Sequence, residues 1–405
     1  MTAVMSGVRV LEVAEHTFVP AASALLADWG AEIIKIEHAE RGDAMRGLAK
    51  SGLGVVGEDV HVLLEHSNHG KKSLGLDLKS PEGLDILYKL AATSDVFLTN
   101  KLPRVRADLK VDVDDIRAHN ANIIYVRGTG WGERGPDADK GAYDSLAYWN
   151  RAGVAMSMHE EEDNFVMPPP APAFGDSIGG LTIAGGIMGA LFHRERTGEG
   201  TTVDVSLLGV GIWSMGAGIA LCNQLGIPNL GIKREGRGGN PLVGNYRTSD
   251  DRWVSMCCLQ ANAYWTELCE VIGRPELGTD ERFADPLSMM ANAAEAAELL
   301  EAEFAGRTAD EWKEVLSGFS GQWAMVQDVL ELVDDPQTVA NGYISAMTSP
   351  TGVDYKLASA PIQFGGEPAP TGRAPEFNEH GDALLEEIGL DWDSIVDLKV
   401  KGVVA

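Results

Sequence analysis

The residue with the clearest capacity for chemistry is an aspartate set among glycines. The run Ala173-Phe174-Gly175-Asp176-Ser177-Ile178-Gly179-Gly180 leads into an apolar stretch, Leu181 to Phe192, that reads as a helix closed by Arg194-Glu195-Arg196-Thr197-Gly198. Two jobs suit a carboxylate there. Asp176 can cap the helix by accepting hydrogen bonds from its first free N–H groups. It can also act as a nucleophile at the positive end of the helix dipole, where glycines let a substrate approach the backbone. A second set of residues could hold an anion. Asn100-Lys101-Leu102-Pro103-Arg104-Val105-Arg106 follows the strand-like Val96 to Thr99, Arg46 lies in the loop after Glu32 to Ile36, and Lys71-Lys72 precedes a strand at Leu74. Sheets of α/β proteins take ligands just past the carboxyl ends of their strands. Against a net charge of −27, such basic spots either suit a phosphorylated ligand or simply cap helices and solvate loops.

The elements that must position these residues alternate. Val8 to Val13 reads as a strand, Ala21 to Trp29 as a helix opened by Pro20, and Glu32 to Ile36 as the next strand, a βαβ unit with parallel strands. The pattern repeats: Leu74 to Asp77, a helix capped by Ser80 with Pro81 in its first turn, Val96 to Thr99, a short helix from Val113 to His119, and Ile123 to Arg127. The fold class is therefore α/β, with a doubly wound, Rossmann-like domain. No GxGxxG follows the first strand, where the chain reads Ala14-Glu15-His16-Thr17-Phe18-Val19-Pro20, so neither a nicotinamide nor a flavin is expected. Further on, strands at Val243 to Arg247 and Arg252 to Cys258 and helices at Ala261 to Ile272 and Ala291 to Phe304 predict a smaller α+β domain. We place the boundaries at 1–229 for the first part of the large domain, 230–328 for the small one, and 329–405 for a tail with too little structure to stand alone.

With 405 residues, two domains are the natural expectation. The acidic balance disfavours nucleic acid and anionic membrane surfaces as partners. The four cysteines show no zinc-type spacing, and Cys257-Cys258 reads as buried core; no metal is expected. The N-terminus does not read as a signal peptide, and a reducing cytoplasm fits. The apolar, Gly-rich stretch from about Leu207 to Cys222 is too short to span a membrane and reads as a buried helix.

Taken in order, several segments resemble the class III CoA-transferases, the CaiB/BaiF type. They are Val8-Arg9-Val10-Leu11-Glu12-Val13, Leu25-Leu26-Ala27-Asp28-Trp29-Gly30-Ala31-Glu32-Ile33-Ile34-Lys35-Ile36-Glu37, Gly42-Asp43, Asn68-His69-Gly70-Lys71-Lys72-Ser73, Gly175-Asp176-Ser177, and Arg196-Thr197-Gly198-Glu199-Gly200 leading to Val203-Asp204-Val205-Ser206. The resemblance implies a large Rossmann-like domain built from the N-terminal half and the tail, a small domain between them, and two ring-like subunits interlocked as a homodimer. It implies an enzyme that moves CoA from an acyl-CoA donor to a small carboxylic acid, with acyl-CoA as substrate and no metal. Asp176 matches the nucleophile, which forms a mixed anhydride and then an aspartyl-CoA thioester. A carboxylate needs no adjacent base to be ionised at pH 7. It does need oxyanion donors, for which the N–H groups of Gly179 and Gly180 are candidates, and a closure against water, for which residues 236–241 are candidates.

The resemblance also sorts the alternatives. Relatives that are α-methylacyl-CoA racemases carry a His where this chain has Tyr143, followed by Asp144; a neutral Tyr is a poor base at pH 7, which favours the transferase. Asp144 then helps position Asp176 or the acceptor, or makes a structural hydrogen bond. A racemase and a catalytically silent acyl-CoA-binding homologue are the alternatives. The candidates for binding CoA are His16, Thr17, Phe18 and His38, together with the residues near strands noted above, Arg46, Lys71, Lys72, Asn100, Lys101, Arg104 and Arg106. Thr17 and His38 stand where formyl-CoA transferase has a Gln and an Arg, and Asp108 replaces another Arg. Phe18, Tyr143, Tyr148 and Trp149 are candidates for the wall of a pocket that takes a larger, less polar acid, or are core aromatics.

Overall fold

Short aliphatic runs with β-branched residues, closed by glycine or polar turns, make strands that can be buried on both faces. In this protein, a computed structural model that describes residues 2–51, 60–159, 163–230 and 239–405, they do so. The N-terminal elements are β1 (Arg9–Val13), α1 (Phe18–Asp28), β2 (Glu32–Glu37), α2 (Val62–Asn68), β3 (Lys72–Gly75), α3 (Pro81–Ala92), β4 (Val96–Thr99), α4 (Pro103–Leu109), α5 (Val113–Arg117) and β5 (Ile124–Thr129). A π-helical turn (Ser145–Arg151), α6 (Val154–Ser157), α7 (Phe174–Thr197), β6 (Thr202–Ser206), α8 (Leu207–Ser214) and α9 (Gly216–Leu225) follow. The six strands form one parallel sheet in the order β3-β2-β1-β4-β5-β6. This is the doubly wound order, with its switch point between β1 and β4.

Strand periodicity divides the core. Val96, Leu98, Ile124 and Val126 face α1 and α7, while Phe97 and Tyr125 face the opposite side. That opposite side also takes Leu384, Leu385, Ile395 and Leu398 of the C-terminal segment. The chain divides into two compact units, 1–231 with 336–405, and 232–335. The second unit holds a three-stranded antiparallel sheet of β7 (Val243–Arg247), β8 (Trp253–Cys257) and β9 (Trp323–Met325), with helices α10 (Ala261–Val271), α11 (Pro275–Gly278), α12 (Pro286–Ala291), α13 (Ala293–Phe304) and α14 (Ala309–Leu316). Back in the first unit come α15 (Pro336–Asn341), the antiparallel pair β10 (Ile344–Thr348) and β11 (Asp354–Ala358), then α16 (Gly381–Glu387) and α17 (Trp392–Val400).

Two local expectations are corrected. Cys258 is buried but Cys257 is exposed, because neighbours along a strand face opposite ways. The stretch from Leu207 is not one buried helix: α8 and α9 meet at a 65° bend, α9 buries none of its residues, and Trp213 is 85% exposed. Helix α7 is long and apolar enough to cross a membrane by length and composition, yet here it packs on α1 and the sheet through Gly179, Gly180, Ile183, Ala184 and Ile187.

A buried ionic cluster ties the first two strands to α1 and the loop before β3. Lys35 pairs with Glu12 at 2.8 Å and Asp43 at 2.7 Å, Lys71 pairs with Glu12 at 2.8 Å, and Arg46 pairs with Glu37 at 2.7 Å. Burial alone would raise the Glu12 carboxyl, but the Lys35 and Lys71 ammoniums outweigh it and hold the group at about 2. The two lysines move in opposite directions. Burial brings Lys71 down to about 8 despite Glu12, whereas Asp43, Glu12 and Glu37 together overcome burial and raise Lys35. Three carboxylates balance three cations, so removing one member leaves a charge stranded in the core. Lys71→Met is expected to destabilise the fold by about 3–5 kcal/mol, read as a lowered midpoint in urea unfolding.

Candidate active site

The connection from β5 to the parallel strand β6 runs through α7, so α7 lies antiparallel to the strands and its N-terminus sits at their carboxyl ends. Asp176 occupies the third position of this helix. It is not the cap. The N-cap is Ala173, held in the left-handed region at φ 57, and the capping carboxylate comes from elsewhere: Asp144 Oδ2 accepts the Gly175 N–H at 3.1 Å, while its Oδ1 accepts the Ser145 N–H at 2.7 Å. Asp144 thus pins the π-helical turn to the first turn of α7, which leaves Asp176 free of capping duty.

The surroundings of Asp176 are crowded. Burial first, and the Asp144 carboxylate second, push its carboxyl up to about 7. Both effects work against the ionised form expected from the sequence at neutral pH. Tyr148 and Trp149, both 4% exposed, set their rings edge-on to Phe174, and a Cβ on Gly175 would lie 2.6 Å from Tyr148 Cγ. On the α2 side, His66 Nε2 lies 2.9 Å from the Ser177 hydroxyl, which donates to the Ala173 carbonyl at 2.9 Å. His66 has no counterpart in the sequence expectations; its contact spans 111 residues of chain, and no local pattern announces it.

Gly179 and Gly180 serve packing. Their N–H groups lie beyond the free ones of the first turn and belong to the helical ladder. A Cβ on Gly179 would meet the Phe18 ring at 2.3 Å, and one on Gly180 would meet Ala21 Cβ at 2.8 Å and the Ala22 backbone nitrogen at 3.1 Å. The expectation that these amides face an oxyanion is therefore corrected. Phe18, 6% exposed, belongs to the same α1–α7 contact, and Thr17 is 3% exposed at the start of α1.

The switch point gathers another part of the expected set. Asn100, just after β4, donates to the Glu15 carbonyl at 2.6 Å and accepts the Glu15 N–H at 3.2 Å, tying the loops after β1 and β4. His16 is held at φ 67 with its N–H on Asp43 Oδ1 at 3.1 Å, a conformation that costs a non-glycine residue about 1–2 kcal/mol. Its ring sits edge-on to Tyr143, centroids 5.6 Å apart, and Tyr143 is 60% exposed. Beside these loops, at the ends of β1, β2 and β3, is a cavity of about 300 Å³. His38 and Lys101 line it with Glu15, Arg41, Asp77 and Lys79.

Several predicted cations are committed elsewhere. Lys71 is buried in the ionic cluster, giving hydrogen bonds to Glu12, the Pro20 carbonyl and Asn68. Lys72 starts β3 and pairs with Glu32, at the end of the sheet away from the site. Arg46 makes a two-pronged contact with Glu37, at 2.7 and 2.8 Å. Arg106, 1% exposed, holds Glu133 and the Lys101 carbonyl. Arg104 is exposed. Arg41 and Lys79 are basic residues that the sequence reading did not assign to the site; Lys79 directly precedes the Ser80-Pro81 helix start. Residues 236–238 of the expected closing loop lie outside the described residues. Among the described residues, no cluster of three or more His, Cys, Asp or Glu has metal-holding geometry.

Comparison with known proteins fits this arrangement. The profile of CoA-transferase family III matches residues 5–381. The chain belongs to this family and is an enzyme of the CoA-transferase type. It is similar to the (R)-2-hydroxy-4-methylpentanoate CoA-transferase of Clostridioides difficile, 31% identical over 99% of both chains. It is also similar to the cinnamoyl-CoA:phenyllactate CoA-transferase of Clostridium sporogenes, 29% identical over 98% of this chain and 96% of that one. The succinyl-CoA–D-citramalate CoA-transferase of Chloroflexus aurantiacus is 28% identical, covering 99% and 98%. Among solved structures, a CaiB/BaiF family protein from Brucella suis superposes with a TM-score of 0.79 at 27% identity, over 96% of this chain and 100% of that one.

Proposed function

We propose that this enzyme transfers CoA from an acyl-CoA to a 2-hydroxy carboxylic acid through covalent intermediates on Asp176. The observation that carries the reading is the placement of Asp176: first turn of a helix at the carboxyl ends of the strands, relieved of capping by Asp144 and crowded by Tyr148. The carboxylate attacks the thioester carbonyl, the C–S bond breaks, and CoA leaves as thiolate with a mixed anhydride behind it. The thiolate attacks the aspartyl carbonyl, freeing the donor acid and leaving an aspartyl-CoA thioester. The acceptor carboxylate attacks that thioester, the thiolate leaves again, and its return to the acceptor's carbonyl gives the new acyl-CoA and restores Asp176. Each intermediate keeps one carbonyl activated, as anhydride or thioester, so no ATP is required. The N-terminal end of α7 supplies positive potential near the developing oxyanion.

The acceptor class rests on the named relatives: 2-hydroxy-4-methylpentanoate, phenyllactate and citramalate each carry a hydroxyl on carbon 2. The cavity lined by His38, Arg41, Lys79 and Lys101 suits the nucleotide end of CoA. Replacing Arg41 and Lys79 together by alanine is expected to raise the Kd for CoA roughly tenfold, as calorimetry would show, since a solvent-exposed charge pair contributes up to about 1 kcal/mol. A homodimer agrees with the exposed apolar face of α8 and α9, which carries Trp213, Ile219, Leu221 and Leu225. In solution the mass should be about twice 43.3 kDa.

The test is to incubate the enzyme with labelled acyl-CoA and trap with hydroxylamine or borohydride. Label or reduction at Asp176 supports the reading. Exchange of the Cα hydrogen with deuterated water and no adduct would point to a racemase instead; uptake of CoA with neither reaction would point to a silent binder.

A further inference from the structure

We propose that His16 selects the acceptor by binding its 2-hydroxyl group, an inference that rests on the functional reading above. Two contacts bring the His16 loop to the reacting carboxylate. The His16 ring lies against Tyr143, whose neighbour Asp144 holds the Gly175 N–H and acts on the charge of Asp176. Two residues past His16, the Phe18 ring fills the space at Gly179, one helical turn from Asp176. His16 lies in the loop that follows β1, so it stands at the switch point between β1 and β4, with its ring on Tyr143 just ahead of the π-helical turn.

Several polar groups nearby are otherwise occupied. Both Asp144 oxygens accept backbone N–H groups, His66 meets Ser177, Asn100 is spent on the Glu15 backbone, and Lys101 pairs with Glu15. Neither ring nitrogen of His16 has a hydrogen-bond partner among the described residues, and the side chain is only partly buried. A neutral imidazole offers one N–H donor and one acceptor, the pair a hydroxyl can use at once. The backbone supports the assignment. Strained φ values persist where the surroundings enforce them, and His16 is fixed at φ 67 by Asp43, itself locked to Lys35. That geometry holds one particular side chain against Tyr143, whereas a loop that merely turns would be served better by glycine.

A site built to bond a hydroxyl discriminates against the analogue that lacks it. The experiment offers two acids in one vessel, a 2-hydroxy acid and its 2-deoxy counterpart with the same skeleton, with one acyl-CoA donor, and reads the ratio of the two CoA products. The intact enzyme should favour the hydroxy acid by tenfold or more. His16→Gly, which removes the ring and relaxes the backbone, should bring the ratio to within about threefold of one. His16→Asn, which tolerates the left-handed region and keeps a donor and an acceptor, should retain part of the preference. Equal losses with both acids, or an intact enzyme that does not discriminate, would overturn the assignment. The outcome is separable from the nucleophile reading, because the Asp176 adduct is trapped with donor alone and does not need an acceptor.

Discussion

Asp176→Ala is expected to lower turnover by roughly 10³-fold or more and to abolish the trapped adduct, because among the described residues around it no second free carboxylate can take its place. Asp144, the other acid in the site, has both oxygens engaged with backbone N–H groups. The variant should still fold and bind CoA. Asp176 is not the cap of α7, so its loss leaves the Gly175 N–H on Asp144 and the α1–α7 packing at Gly179 and Gly180 untouched. Circular dichroism and CoA titration check this, and initial rates check the activity. A variant that keeps a tenth or more of the wild-type rate would remove Asp176 from the mechanism.

The second large effect is on pH. Nucleophilic attack needs the ionised carboxylate, and burial together with Asp144 raises that group to about 7. In the free enzyme kcat/KM should therefore fall about tenfold per unit below pH 7 and level off above about pH 8. Asp144→Asn removes the neighbouring charge but keeps an oxygen for the Gly175 N–H, so the acid limb should move to lower pH. Stability follows the opposite sign. A raised carboxyl favours the native state when protonated; that contribution is complete below the ordinary value of 3.8 and is lost as pH rises through about 7. Asp176→Asn should therefore stabilise the fold by an amount that grows across this window, reaching roughly 1–3 kcal/mol above it once solvent screening is allowed for. Thermal unfolding of both proteins at pH 5 and pH 8 measures the difference. A more stable and inactive variant is the signature of a carboxylate kept where chemistry, not folding, needs it.

Much of the sheet was legible in the sequence. β7 falls on Val243–Arg247 as expected, and the expected strand from Val96 to Thr99 is β4. Ser80 caps α3 by accepting the Gly83 N–H, with Pro81 in the first turn. These features depend on residues within a turn or two of each other, and parallel pairing with right-handed crossovers leaves few topologies open. The start of α7 was less legible. The expected helix began at Leu181, whereas α7 begins at Phe174, because tertiary contact with Phe18 and Ala21 uses glycines that lower helix propensity.

The basic residues show where local reading fails. Lys71 and Lys101 look alike in sequence, yet one is buried against Glu12 and the other lines the cavity beside β1. A charge near a strand end says nothing of which carboxylate will claim it, since Glu12 is 59 residues from Lys71. The apolar stretch after Leu207 makes the same point: hydrophobicity marks a surface to be covered, not what covers it.

For Asp176, the sequence determined the residue, the glycines around it and the helix that follows, because these are local and periodic. Only the tertiary structure decided that Ala173 is the cap and that Asp144, 31 residues from Gly175, holds the free N–H. It also decided that Gly179 and Gly180 bring α1 close and that burial raises the carboxyl toward neutrality. The physical reason is that capping, packing and desolvation are set by what arrives from distant parts of the chain, whereas strand and helix periodicity is written residue by residue.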